Sequence, residues 1–264
     1  MLIGKHGKAT SAICTADSDS ITIRGRDLCR DLMGRVTFTE FFYLLVTGRE
    51  PTENQRYFLD LLLIAIAEHG LTPTAVAARM TYDADPQSLQ SAVAAGILGC
   101  GTVVLGTSEL CGKLLAEAKA RVDAGEDPAS AAKAIARATH AAGGKLPGFG
   151  HPLHRPVDPR AQRILELAAK RKVSGQHVAL ARAFESAAAE VWGKPLTMNV
   201  SMPIAAVLMD LGFPPGLIKA IPLLARTGGL LAHLAEEQAN PIGFLMASHA
   251  EAAISYEAGE EGGS

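Results

Sequence analysis

The densest chemistry in the 264-residue chain is KLPGFGHPLHR, Lys145 to Arg155, where two prolines, two glycines and two histidines interrupt a helical pattern. His151 stands between Gly150 and Pro152, and an imidazole there can donate or accept a proton near neutral pH or polarise a developing oxyanion. The crowded loop setting favours that role over a satisfied structural hydrogen bond; His154 stays open between the two. Nine residues after His151, Arg160 starts a helix at Asp158-Pro159. The N-terminus of that helix offers unpaired backbone donors to an anion. Arg226 interrupts the apolar run IPLLARTGGLLAHLA, where a buried guanidinium needs an anionic or polar partner. Both arginines suit the clamping of a dicarboxylate, with an internal ion pair or a solvent-facing position as the plain alternative. His233, two helical turns beyond Arg226, reads more readily as structural.

Other chemistries find no support. GxGxxG with its acidic follower, Walker A, HExxH, GxSxG and the EF-hand loop are absent. Cys14, Cys29, Cys100 and Cys111 have no metal-site spacing and read as free buried thiols, with Cys111 a weak candidate nucleophile. Twenty-five Lys plus Arg against 27 Asp plus Glu leave a net charge of -2, so no global field favours nucleic acid or an anionic membrane. The N-terminus lacks a basic-then-apolar secretory layout, which makes a reducing cytoplasm the expected compartment. Asp60, Lys219 and Arg226 interrupt the most apolar stretches, so no membrane span is expected.

The elements that must carry these residues read as helices. Hydrophobic residues make up 48% of the chain and aromatic residues only 5%, with 26 glycines, a balance that suits helices packed closely through Ala and Leu. Residues 11–30 are a turn-rich lead-in in which ITIRG forms a short extended element. Helices are predicted from Phe38 to Gly48 and from Pro51-Thr52-Glu53 to about Ala67, packing as a hairpin, with His69-Gly70 directly after the second. Further helices are predicted over LTPTAVAARM, SLQSAVAAGILGCG, Leu110 to Ala124 and Asp127-Pro128 to Ala142. A helix restarts at Asp158-Pro159-Arg160, and the chain closes with helices near residues 176–190, 202–211 and 214–236, then a frayed acidic tail from Glu257. The expected fold class is all-α.

With those residues in place, the chain resembles the citrate synthase family, including the citryl-CoA lyases and the citrate synthase-like part of ATP-citrate lyase. ITIRGRDLCRDLM, FTEFFYLLVTGREPT, AEHGLTPTAVAAR, LPGFGHPLHRPVDPRA, TMNVSMPIAAVLMDLGF and ARTGGLLAHLAEE match the family's segments in order, and GFGHxxxxxxDPR is the most specific of them. The resemblance implies that His69 and His151 bind substrate, His151 assisting the carbon–carbon bond chemistry, while Arg160 and Arg226 bind carboxylates. It also implies departures. Cys111 stands where the family has a histidine that stabilises a thioester enol, and Ser201 where it has the aspartate that moves the α-proton. Ser248 replaces a usual arginine, and Pro152 a common basic residue.

The function this resemblance implies is that of a citryl-CoA-lyase-like enzyme acting on acyl-CoA and dicarboxylate small molecules, with Ser201 or water helping to deliver a proton. CoA would be part of the substrate; no permanently bound cofactor and no metal are expected. The rivals are the reverse, synthase-like condensation and a non-catalytic acyl-CoA or carboxylate-binding protein. The implied architecture is a large helical domain from residues 1–112 and 201–264, a small one from 113–200 closing over the cleft, and a homodimer.

Overall fold

The computed structural model describes residues 9–257, so the acidic tail beyond Glu257 lies outside the described residues. The lead-in folds as a small antiparallel sheet of β1 (Cys14–Ala16), β2 (Ile21–Ile23) and β3 (Arg26–Asp27), in that order. ITIRG supplies β2 and a turn at Arg24-Gly25, both with positive φ. A π-helical turn, Leu28–Leu32, comes next, capped by the Asp27 side chain, which accepts from the N–H groups of Cys29 and Arg30. Cys14 and Cys29 are exposed here, correcting the expectation that all four thiols are buried. All three residues of β1 are exposed, which leaves the Cys14 thiol in solvent.

Everything beyond is helical: α1 (Phe38–Thr47), α2 (Glu53–Ala67), α3 (Pro73–Ala84), α4 (Leu89–Leu98), α5 (Thr107–Asp123), α6 (Pro128–Ala141), α7 (Pro159–Lys170), α8 (Gln176–Trp192), α9 (Ser201–Asp210), α10 (Ala220–Ala239) and α11 (Gly243–Ala253). Local chemistry explains several boundaries. Thr37 with Glu40 and Thr52 with Gln55 form reciprocal capping boxes at α1 and α2, and Gly48 ends α1 in the left-handed region. Asp127-Pro128 and Asp158-Pro159 start α6 and α7, each aspartate accepting a backbone N–H of the first turn. The helix expected over 214–236 is split: Pro214, Pro215 and Gly216 hold a 3₁₀ turn at Pro215–Leu217 before α10 begins. Helix α11 is a further element, mostly exposed and without the one-sided apolar pattern that betrays a helix in sequence.

At the centre lies α9, buried from Ser201 to Leu208 and wrapped by α2, α5, α7 and α8. Fully buried Phe58, Leu62, Leu115, Phe184 and Ile204 belong to one continuous core, each such side chain contributing about 1.5–3 kcal/mol on burial. Segment Pro215–Ala239 has the length and apolarity of a membrane span, but α10 packs against α2, α3 and α4 and carries buried Arg226 and Glu237, as a core helix does.

Candidate active site

The GFGH loop is held by main-chain pairing with the segment that leads into α9. Gly150 N donates to Thr197 O at 2.7 Å and Asn199 N to Gly148 O at 2.9 Å, with Phe149 bridged antiparallel to Met198. The Asn199 amide donates to Gly150 O at 3.0 Å and accepts from Ser201 N at 3.1 Å. Gly148 has φ +83°, and a Cβ there would lie 2.8 Å from Cys111 Sγ and 2.9 Å from Met202 Cβ. Glycine is therefore needed for both backbone hand and closeness.

The loop delivers His151 and His154 to His69, which comes after α2. The ligand nitrogens of the three rings lie within 4.8 Å of one another. His69 Nε2 is 3.2 Å from His154 Nε2, and the His151 and His154 ring centroids are 4.4 Å apart. His151 Nδ1 accepts the backbone N–H groups of Leu153 and His154 at 3.1 and 2.9 Å. In the neutral ring the proton then sits on Nε2, so this atom and Arg160 Nη2, 3.4 Å away, are both donors and share no hydrogen bond; an anionic oxygen can accept from both.

Arg160 is steered by Asp158, a fully buried carboxylate that accepts Arg160 Nε at 3.1 Å, Arg160 Nη2 at 2.9 Å, Arg160 N at 3.0 Å and Val200 N at 3.1 Å. Burial works to raise the Asp158 carboxyl, but the Arg160 guanidinium and these N–H groups hold it below its ordinary value. One side chain thus caps α7, aims Arg160 and ties down the start of α9. Burial first, then the Arg160 charge and His154, push the His69 imidazole down; burial, His154 and Arg160 do the same to His151. The site favours neutral imidazoles beside a permanent cation, a field made for anions.

Arg226 is 2% exposed. Its Nη1 and Nη2 reach Thr72 Oγ1 and Ile66 O at 3.5 Å, Glu68 lies 3.9 Å away, and Nε has no partner among the described residues. A buried donor without an acceptor is costly, and a substrate carboxylate would supply one. Gly229 lets α10 pass under the end of α2, since a Cβ there would come within 2.2 Å of Ala67 O. Glu68 organises this edge: it accepts the N–H groups of His69 and Gly70 at 2.8 and 2.6 Å and His233 Nε2 at 3.0 Å. Although burial opposes it, bonding from His233, His69 and Gly70 holds the Glu68 carboxyl low. His233 Nδ1 in turn accepts from Arg79 Nε at 3.0 Å, and buried Arg79 is paired with Glu236 and Glu237. His233 therefore belongs to a network under the site.

The structure gathers His69, His151, His154 and Arg160, and sets Arg226 beside Glu68, His69's neighbour in sequence. Cys111 is not in the cluster: it is fully buried behind Gly148, and burial drives its thiol far up, leaving no thiolate nucleophile. Ser201, 9% exposed, heads α9, and its hydroxyl makes no hydrogen bond among the described residues. Ser248 is exposed on α11. Sequence reasoning missed Asp158, Glu68, Asn199 and Arg79 as parts of the site. Asp158 was legible as an N-cap two residues before Arg160; Arg79, in an Ala-rich helical stretch, carried no signal of burial. A trio of imidazoles can hold zinc, but metal-bound histidines usually donate through their second nitrogen, whereas His151 Nδ1 is an acceptor and Arg160 adds a competing charge.

A helical core whose loops converge on imidazoles and guanidinium groups defines the citrate synthase-like class of fold. The family model for the C-terminal domain of citrate synthase matches residues 48–243, and the chain belongs to the citrate synthase family. It is 31% identical over 210 residues to the citrate synthase of Haloferax volcanii, covering 75% of this chain and 50% of that protein. The chain spans about half the length of the curated relatives it matches. Among solved structures it is similar to citryl-CoA lyase from Hydrogenobacter thermophilus, with a TM-score of 0.83, 28% identity and 95% of each chain covered. ATP citrate lyase from Methanothrix soehngenii, solved with citrate and coenzyme A, shares the fold at a TM-score of 0.77 and 19% identity, over 98% of this chain and 43% of that one.

Proposed function

We propose that this protein is a carbon–carbon lyase that cleaves citryl-CoA, or a related 3-hydroxy-3-carboxyacyl-CoA, into an acyl-CoA and a 2-oxo acid such as oxaloacetate. Arg160 and Arg226 hold the carboxylates, while His69 and the Nε2–H of His151 orient the tertiary alcohol that becomes the carbonyl. CoA arrives and leaves as part of substrate and product.

The observation that carries the reading is a set of imidazoles held neutral beside the Arg160 cation, while Asp158, the carboxylate that accepts the N–H of Val200 next to Ser201, is already committed. Condensation begins, and cleavage ends, with a proton moved at the weakly acidic α-carbon of a thioester, so one group must serve both directions. Asp158, bound to the N–H of Val200, spends its oxygens on Arg160 and the backbone and is held ionised. Cleavage begins at an alcohol O–H, a stronger acid than that carbon, in a site already favourable to negative oxygen. The likeness to a citryl-CoA lyase over 95% of both chains supports the cleavage direction.

The two-domain division at residues 113 and 200, closing to exclude water, belongs to this reading, as do a homodimer and a cytoplasmic setting. Exposed Leu98, Leu231, Phe244 and Leu245 on α4, α10 and α11 support a contact between subunits, which sedimentation would test.

Incubation with citryl-CoA, and separately with acetyl-CoA plus oxaloacetate, with products read by mass, tests the activity. Cleavage is expected, and His151→Ala abolishes it while the helical signal is kept. Saturable binding of these compounds without turnover in either direction would overturn the lyase and leave a binding protein.

A further inference from the structure

We propose that His154, hydrogen-bonded to His69, is a catalytic residue that carries the proton of the cleavage, the task the family gives to the aspartate that Ser201 replaces. The inference rests on the lyase reading above.

Cleavage moves one proton and no net oxidation. The tertiary alcohol gives up its proton and becomes a carbonyl as the carbon–carbon bond breaks. The bond's electron pair goes to the thioester α-carbon as an enolate, and that carbon then takes a proton. The carrier needs an uncommitted lone pair at the start and an acidic hydrogen at the end. His151 has spent its Nδ1 lone pair on two backbone N–H groups and offers only a donor. Asp158 is engaged by Arg160 and two backbone N–H groups, and Glu68 by His69, Gly70 and His233. The Cys111 thiol is sealed behind Gly148, and a serine hydroxyl is too weak a base at neutral pH.

The His69–His154 pair meets the requirement. With the two Nε2 atoms 3.2 Å apart, one ring donates and the other accepts. The donating ring keeps a lone pair on Nδ1, and the accepting ring keeps an N–H there. Among the described residues no other residue hydrogen-bonds either Nδ1. His69 takes the alcohol proton on Nδ1, its Nε2 proton crosses to His154 Nε2, and His154 gives its Nδ1 proton to the α-carbon. The two tautomers are then exchanged, and proton exchange with water restores them.

The test is steady-state cleavage of citryl-CoA by the full chain, with folding monitored by circular dichroism. His154→Gln lowers kcat by about 10²–10⁴-fold with KM changed only a few-fold, the range for loss of general acid–base catalysis. Adding Ser201→Asp to that variant restores kcat by about tenfold or more, because a carboxylate at the family's position supplies a second proton route. A His154→Gln enzyme with wild-type kcat, or one whose loss lies only in KM, overturns the proposal while leaving the lyase reading intact. Activity lost on chelation and restored by zinc also overturns it, because the rings would then be ligands. A wild-type chain that turns over no citryl-CoA in either direction overturns the lyase reading and this proposal together.

Discussion

His151 and Arg226 show how the site divides its charges. His151 binds no proton on Nδ1 because two backbone N–H groups occupy that lone pair, and burial with Arg160 nearby keeps its ring neutral at pH 7. Because the folded imidazoles of His69 and His151 titrate below the ordinary value of about 6.5, kcat/KM for cleavage stays level through neutrality and falls only on the acid side of that value. A pH–rate profile checks this; an acid limb at or above 6.5 would contradict it. Arg226 carries a buried charge with an unpartnered Nε, so Arg226→Met leaves the melting temperature unchanged or raises it. On the proposed function, the same change weakens oxaloacetate binding by about 2 kcal/mol or more, measurable by calorimetry. His151, Arg160 and Arg226 were legible from residue type and setting. The role of His154 was not, since it depends on a ring 85 positions earlier in the chain.

The elements matter through their ends. Asp158 serves α7, Arg160 and the entry to α9 together, so Asp158→Ala removes a cap and leaves a guanidinium unpaired at a partly buried site. The loss of stability is about 3 kcal/mol, read from denaturant unfolding, whereas Asp158→Asn keeps the cap and loses less. Gly148→Ala strains a positive φ and drives a methyl into Cys111 and Met202. The collision falls on the loop holding His151, so activity falls more than stability, by at least tenfold in kcat/KM against about 1–3 kcal/mol in unfolding. The Asp-Pro starts of α6 and α7, the Pro51-Thr52-Glu53 opening of α2 and the glycine that ends α1 were visible in the sequence. Helix α11 was hidden because most of it faces outward and its apolar residues do not gather on one buried face.

At the scale of the molecule, buried charge couples the fold to pH. Asp158 and Asp210 lie against burial that would raise them, but Arg160 for the first and His177 with the α8 backbone for the second hold both low. Their unfolded counterparts bind protons more readily, so the stability they contribute is present above about pH 4 and is lost as pH falls through the folded values. The depressed imidazoles act in the same direction over a higher window, favouring the unfolded chain as pH drops below about 6.5. Thermal melts from pH 8 to 3 therefore show a shallow decline that begins below 6.5 and a steeper one below 4. A melting temperature that rises between pH 6.5 and 5 would contradict this.

The all-helical class, the GFGH loop, the Asp158-Pro159-Arg160 start and the family were determined by the sequence alone, because periodicity, caps and short motifs are local and survive in one dimension. Tertiary structure decided which groups meet. Pairing of Gly148–Gly150 with Thr197–Asn199 set the GFGH loop against the start of α9, and Gly229 admitted α10 beneath Glu68. Only that packing turned His154 from an unassigned ring into His69's partner and consumed the Asp158 carboxylate in an ion pair. Hydrogen-bond partners and burial are properties of distant chain segments brought together, and no spacing along the chain encodes them.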